Sequence, residues 1–359
     1  MSTLTEDLSE FHDELSTVAR DVLATTIPGE AVDWNLIAGT GWLGLEVPTS
    51  LDGEGAGFAE VAVILREIGR AAAGGPYPAV AGAAVGALTA AAPSAARDLL
   101  LRAVAAGDAV PVLVLDAAAK SENAFRVDEV GDGFVLNGTA EFVLGGAGAD
   151  TLLVPVTVPG GAAIVAVPPT TPGVVVEPRE VVDATRDLAR VTAESVAVRP
   201  DAVWRLQAPE SVSALRDRAA VAVACDSLGV AEAMLEATVD HVTVREQFGR
   251  AIGSFQAVKH ACADMLVNIT VARRLVASAV GEVAGGGPGA VRAASMAKSF
   301  TSEIAVEIAG KAMQLHGGMG YTWESGIHVY LKRATLNRNL YGSPAQHRAV
   351  IAEGYRNRR

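Results

Sequence analysis

Apolar residues recur at helical spacing through the first part of the chain. Phe11, Leu15, Val18, Val22 and Leu23 fall on one helical face, and Val61, Ile64, Leu65 and Ile68 mark a second helix. Between them GWLGLEVPTSLDGEGAG is glycine-rich and closed by turn residues, which predicts a loop. From Val110 the period shortens: VPVLVL, DGFVLNGTAEFVL, TLLVPVTV, AAIVAVP and GVVVEP are short β-branched runs separated by Gly, Pro and Asp. Asn137-Gly138 and Gly131-Asp132-Gly133 read as hairpin turns, and the spacing predicts a small antiparallel barrel or sandwich. Past Pro209 helices return. One is predicted from Ser211 to Arg245 or a little beyond, closed by Gly249. A second starts at Ser254 as N-cap and runs to Ala284. After the loop GGGPG a third spans Ala290 to His316, where Gly317-Gly318 ends it, and a last one covers Pro344 to Tyr355. Four long helices on short connections imply a bundle. The expected fold class is α+β in three domains: a helical N-terminal domain over 1–109, a middle β-domain over 110–205 and a C-terminal four-helix bundle over 206–359.

Half of the 359 residues are apolar and 19% are charged, enough for a large core. The net charge of −12 excludes a broad nucleic-acid or anionic-membrane surface, since phosphate binding needs a basic stripe and none is visible. Two cysteines, Cys225 and Cys262, are too few for a disulfide framework or a thiolate metal site and read as small buried hydrophobes. The acidic MSTLTEDLSEFHDEL has no basic-then-apolar leader pattern, and the alanine-rich stretch from Ala79 to Ala96 is broken by glycines and ends at Pro93. A cytoplasmic location is expected.

No P-loop, H-E-x-x-H, G-x-S-x-G or strand-borne G-x-G-x-x-G is present, and the six histidines show no metal spacing. No metal is expected. Two segments stand out. In Arg245-Glu246-Gln247-Phe248-Gly249-Arg250-Ala251-Ile252-Gly253-Ser254-Phe255-Gln256 an arginine at a helix end is followed by a tight turn and a new helix start, which together make an anion cradle. The plainer alternative is a helical hairpin with a solvated arginine. In Gln314-Leu315-His316-Gly317-Gly318-Met319-Gly320-Tyr321 three glycines in four positions let backbone approach a flat or charged ligand, whereas a simple helix stop accounts for one of them.

VREQFGRAIGSFQAVKHACADM and MQLHGGMGYTWE resemble the flavin-binding signatures of the acyl-CoA dehydrogenase family. Gly41-Trp42-Leu43-Gly44-Leu45-Glu46-Val47-Pro48, Gly53-Glu54-Gly55 and Ile68-Gly69-Arg70 resemble that family's N-terminal domain. Gly133-Phe134-Val135-Leu136-Asn137-Gly138, Ala149-Asp150 and Asp183-Ala184-Thr185-Arg186 resemble its middle domain and the exit from it. The resemblance implies FAD as cofactor, an acyl-CoA substrate and an oligomer of paired dimers, in which one subunit's middle domain holds the flavin ring and its neighbour's C-terminal helices hold the ADP moiety. It places Arg245 on the pyrophosphate, Phe248, Ile252, Phe255 and Gln256 along the adenosine, and Gln314, Gly317 and Gly318 over the ADP moiety from the same face.

The family's reaction is α,β-dehydrogenation. A carboxylate removes the α-proton while the β-hydrogen leaves as hydride to the flavin. Here the position of the family's Glu is Tyr341, and the alternative position on the first helix of the C-terminal domain falls at about Ala219. Asp217 is turned off that face, and Asp226 keeps the face two turns away, which leaves Asp226 as a weak candidate base. The family's Glu-Pro and Gly-Ser-Asp elements are missing from VLVLDAAAKSENAFRVDE. Intact ADP-side motifs beside a missing base resemble the base-lacking subunits of actinobacterial heteromeric acyl-CoA dehydrogenases, whose homologous partner carries the Glu. Two alternatives remain at this point: a homomeric dehydrogenase with a displaced base, and a non-enzymatic nucleotide- or CoA-binding scaffold. Glu324 and His328, four residues apart, read as surface or helix-stabilising groups, and Trp34, Trp42, Trp204 and Trp323 as core or interface anchors.

Overall fold

A computed structural model describes residues 2–118, 124–207 and 211–356, with residues 2–9 as backbone only. The N-terminal helices are α1 (Ser2–Leu23), α2 (Trp34–Gly39), α3 (Phe58–Arg70), α4 (Tyr77–Ala79), α5 (Val85–Ala90) and α6 (Ala95–Ala106), with a π-helical turn, Val80–Ala84, between α4 and α5. Val61, Ile64, Leu65 and Ile68 form the buried stripe of α3, and Glu60 reaches back to accept the Gly57 N–H at 2.8 Å. The alanine-rich stretch is the buried α4–α5 run, and among the described residues no helix is long and apolar enough to cross a membrane.

Eight strands follow: β1 (Pro111–Leu113), β2 (Phe125–Val130), β3 (Gly133–Leu144), β4 (Thr151–Val158), β5 (Gly161–Val167), β6 (Val174–Pro178), β7 (Leu188–Val198) and β8 (Val203–Arg205). They form two four-stranded sheets, ordered β1-β4-β5-β8 and β2-β3-β7-β6. Every pairing is antiparallel except β1 with β4, which is parallel. Gly131-Asp132 makes the β2–β3 hairpin as expected. Asn137-Gly138 does not make a turn: it lies inside β3, where the register with β7 shifts between Leu136 and Gly138. A side chain at Gly138 would stand 2.3 Å from the Ala124 carbonyl, so glycine there serves a bulge with close backbone approach.

The C-terminal helices are α7 (Val212–Val244), α8 (Gln256–Ala284), α9 (Ala290–His316), α10 (Ile327–Asn337) and α11 (Pro344–Arg356), with a two-residue-stranded hairpin, β9 (Glu246–Gln247) and β10 (Arg250–Ala251), between α7 and α8. Ser211 caps α7 by accepting the Ala214 N–H at 3.2 Å. Ser254 does not cap α8. Its hydroxyl donates to the Ala251 carbonyl at 2.7 Å, and α8 starts after Phe255 with no side-chain cap. The helix α10 was not expected. It is short and its buried side carries Arg333 and Asn337 with Ile327, Tyr330 and Ala334, so no apolar period betrays it.

The axis of the molecule is α7, buried on every side from Arg218 to Glu232. It meets α3 backbone to backbone. A β-carbon on Gly229 would lie 1.9 Å from the Arg66 carbonyl oxygen, and one on Gly69 would lie 2.1 Å from that of Asp226. Gly229→Ala is therefore expected to destabilise the chain by about 3 kcal/mol or more, the upper range for overpacking. Gly310→Ala, on α9 where an added β-carbon meets nothing within 4 Å, should instead stabilise it by about 0.5–1 kcal/mol. The urea midpoints of the two variants should move in opposite directions.

Candidate active site and cofactor face

The two glycine-bearing segments come together at one end of the bundle. His241, in the last turn of α7, stacks on His316, the last residue of α9, with ring centroids 4.3 Å apart. Arg245 closes α7: its N–H donates to the His241 carbonyl at 2.9 Å, and its own carbonyl receives the Ile252 N–H at 2.8 Å. The β9–β10 turn puts Phe248 and Gly249 at φ +52° and +76°. Phe248 stands 91% exposed, edge-on to Phe255, and the Arg250 guanidinium lies 4.0 Å from the centre of the Phe255 ring. Gln314 is exposed, and its amide oxygen receives Lys311 Nζ at 3.1 Å. Gly317, at φ +62°, and Gly318 are open on the side where a β-carbon would project.

These residues fit the nucleotide half of a dinucleotide. Two exposed guanidinium groups, an uncapped helix start at Gln256 and open glycine backbone answer a pyrophosphate. The Phe248 and Phe255 rings and the exposed amides of Gln256 and Gln314 answer an adenosine. The face lies open on the surface of the chain, and Val244 at 78%, Tyr321 at 73% and Trp323 at 79% exposure extend it with apolar area.

The loop between α10 and α11 is built differently. Tyr341 is buried at φ +55°. Its N–H donates to the Ala117 carbonyl, beyond β1, at 2.9 Å, and its carbonyl lies 3.0 Å from His347 Nε2 on α11. Lys298, fully buried on α9, donates to the carbonyls of Arg338 at 3.3 Å and Gly342 at 3.0 Å. Burial pushes the Tyr341 phenol up to about 12, against the pull of Arg216 and Arg186, so it stays protonated at neutral pH. Ala219 is buried on α7 and carries no acid.

Asp226 is removed as a candidate base. Its carboxylate receives Arg333 Nε at 2.9 Å, Arg186 Nη2 at 2.7 Å and Asn337 Nδ2 at 2.7 Å, all in the interior. Burial alone would raise its pKa. The two guanidinium groups, with the Arg333 and Asn337 hydrogen bonds, outweigh that and hold it well below the usual carboxylate range. A carboxylate so committed accepts no proton near neutral pH.

The remaining expectations divide. Residues 119–123 of the altered middle-domain stretch, and Arg358 and Arg359, lie outside the described residues. Glu324 and His328 do not share a helix: Glu324 is in the turn before Gly326, and His328, in the first turn of α10, meets Trp323 edge-on at 4.6 Å. Trp42 and Trp204 are core residues, Trp34 is half-buried and donates to the Gly107 carbonyl at 2.8 Å, and Trp323 is exposed. Cys225 is buried and Cys262 half-buried. Lys298, His347 and Arg333 escaped the sequence reading. For Lys298 the signal was available, since Ala294, Ala297, Thr301 and Ala305 around it on α9 are all buried and uncharged.

The acyl-CoA dehydrogenase N-terminal domain model matches residues 4–108 and the acyl-CoA dehydrogenase C-terminal domain model residues 213–355. Acyl-CoA dehydrogenase IpdE2 of Mycobacterium tuberculosis is 32% identical over 315 residues, covering 87% of this chain and 83% of that protein. IpdE2 of Mycolicibacterium smegmatis is 30% identical over 314 residues, covering 87% and 84%. Among solved structures, a variant of the Tcur3481-Tcur3483 steroid ACAD superposes with a TM-score of 0.85 at 28% identity over 96% of this chain and 98% of the other. Butyryl-CoA dehydrogenase from Megasphaera elsdenii superposes equally well, TM-score 0.85, at 19% identity over 96% and 97%, which speaks for the fold alone. The chain belongs to the acyl-CoA dehydrogenase family, the FAD-dependent oxidoreductases that act on the CH–CH group of acyl-CoA thioesters.

The Asp226 cluster makes a prediction about pH. Its folded pKa is depressed, so its stabilising contribution is complete above the unfolded carboxylate pKa of about 4 and is lost as pH falls below it. Asp226→Asn strands two buried guanidinium groups and should cost about 3–5 kcal/mol near neutral pH. In urea titrations the gap between the natural chain and Asp226→Asn should stay level from about pH 6 to about pH 5 and shrink as pH falls through about 4 to about 3.

Proposed function

We propose that this chain is the non-catalytic subunit of a heteromeric acyl-CoA dehydrogenase, grasping the ADP end of an FAD whose reaction is completed by a homologous subunit with a catalytic Glu. One observation carries the reading: the family's base position holds a buried, protonated tyrosine, and the only carboxylate kept on the alternative face is locked between two arginines. The flavin, when bound, supplies the hydride acceptor. What this chain contributes is grip: Arg245 for the pyrophosphate, Phe248, Ile252, Phe255 and Gln256 along the adenosine, and Gln314 with Gly317 and Gly318 closing over the same face. Proton removal from the α-carbon falls to the partner.

The open nucleotide face supports the heteromer, because Phe248, Val244 and Trp323 are too exposed to be the finished surface of a protomer. Paired dimers of the two subunits, acting in the cytoplasm, complete the picture. The likeness to a steroid ACAD supports a bulky, sterol-derived acyl group as the substrate class.

Co-expression with a homologous Glu-bearing subunit tests this. The lone chain should purify with little FAD and oxidise no acyl-CoA, whereas the mixed assembly should hold FAD and turn over. Arg245→Met should lower the flavin-to-protein ratio of the assembly at least tenfold, while Tyr341→Phe should leave turnover within about twofold, since the loss of an uncharged hydroxyl that moves no proton costs little. A yellow, active homomer would overturn the proposal.

A further inference from the structure

A second concave site lies away from both the nucleotide face and Tyr341. Helices α3 and α8 stand apart over α7 and leave a slot of about 580 Å³, within the range of small-molecule pockets. Its floor is Cys225 and Leu228, and its walls are Ala62 and Val63 of α3 and Val276 and Val280 of α8. The interior is therefore apolar. The mouth is not: Arg66, Arg273 and Arg274 stand at the rim with His12, which is paired with Glu60 at 2.7 Å.

The cations at that rim are not equally committed. Arg66 donates to Glu67 Oε1 at 3.0 Å, and Glu67 is also held by Arg20 at 2.8 Å. Arg273 donates to Glu232 at 2.5 Å, and Arg66 approaches the same carboxylate at 3.9 Å. Arg70 pairs with Glu236. Each of Glu67 and Glu232 is thus shared by more than one guanidinium. Arg274 is exposed and has no ion pair or hydrogen bond among the described residues. Arg274 is therefore an uncommitted cation at the mouth of an apolar slot.

We propose that this slot binds an aliphatic carboxylate, its chain lying between α3 and α8 over Cys225 and Leu228 and its head group paired with Arg274. An alkyl chain gains by leaving water for the apolar walls, and the carboxylate gains a forked, charge-assisted partner at the rim. The site is separate from the reading of this chain as a dehydrogenase subunit, and neither depends on the other.

Titration calorimetry of the purified chain with decanoate and with decanol tests the proposal. Decanoate should bind at least tenfold more tightly than decanol. Gly281→Leu and Ala277→Trp place bulk on exposed α8 positions that line the slot, and a β-carbon at Gly281 meets no other atom within 4 Å. Each should weaken decanoate binding at least tenfold, as should Arg274→Glu, with no melting temperature lowered. No binding of decanoate, equal binding of decanol, or full affinity in both Gly281→Leu and Ala277→Trp overturns the assignment.

Discussion

Everything in this molecule is arranged about one carboxylate. Asp226 sits on the buried face of α7 and receives Arg186, from the segment leading into β7, and Arg333 and Asn337, from α10. Arg333 goes on to the Ala73 carbonyl at 2.7 Å, in the N-terminal helices, and to Thr185 Oγ1 at 3.2 Å. A buried ion cluster of this kind gains little over well-packed apolar side chains, because desolvation consumes most of the Coulombic attraction. What it gains is registry. Helices from both ends of the chain and the exit from the sheets must all be in place before two interior guanidinium groups are neutralised, so a wrong docking of any one leaves charge stranded.

The same arrangement explains which parts of the structure were legible in the sequence. The β-branched runs and α3 declare themselves through apolar period, α7 through a long apolar run closed by glycine, and α9 ends at His316 where the glycine pair predicts. The interior polar residues do not. Arg333 and Asn337 break the apolar pattern of α10, and its short length leaves too few turns for any period to show. Asn137-Gly138 has the composition of a turn, but β3 continues through it because β2 and β7 pair on either side. Local turn chemistry lost to long-range pairing.

For the site, motif order singled out the two segments of the proposed nucleotide face, and the His241–His316 stack shows how residues some seventy positions apart come together. The base position was legible only as an absence. Whether Asp226 could take over was a question of partners, and spacing along one helix says nothing of what Arg186 and Arg333 bring from elsewhere. The anchoring of Tyr341 by Ala117, His347 and, through Gly342, by Lys298 was likewise invisible, because backbone acceptors leave no trace in a string of side chains.

The hairpin tip at Phe248 carries a cost of its own. An aromatic residue held at positive φ, in water, costs the isolated protomer about 1–3 kcal/mol that glycine there would not. On the proposed heteromer the cost is recovered where nucleotide or partner covers the ring, and the protomer's marginal discomfort becomes a gain of assembly.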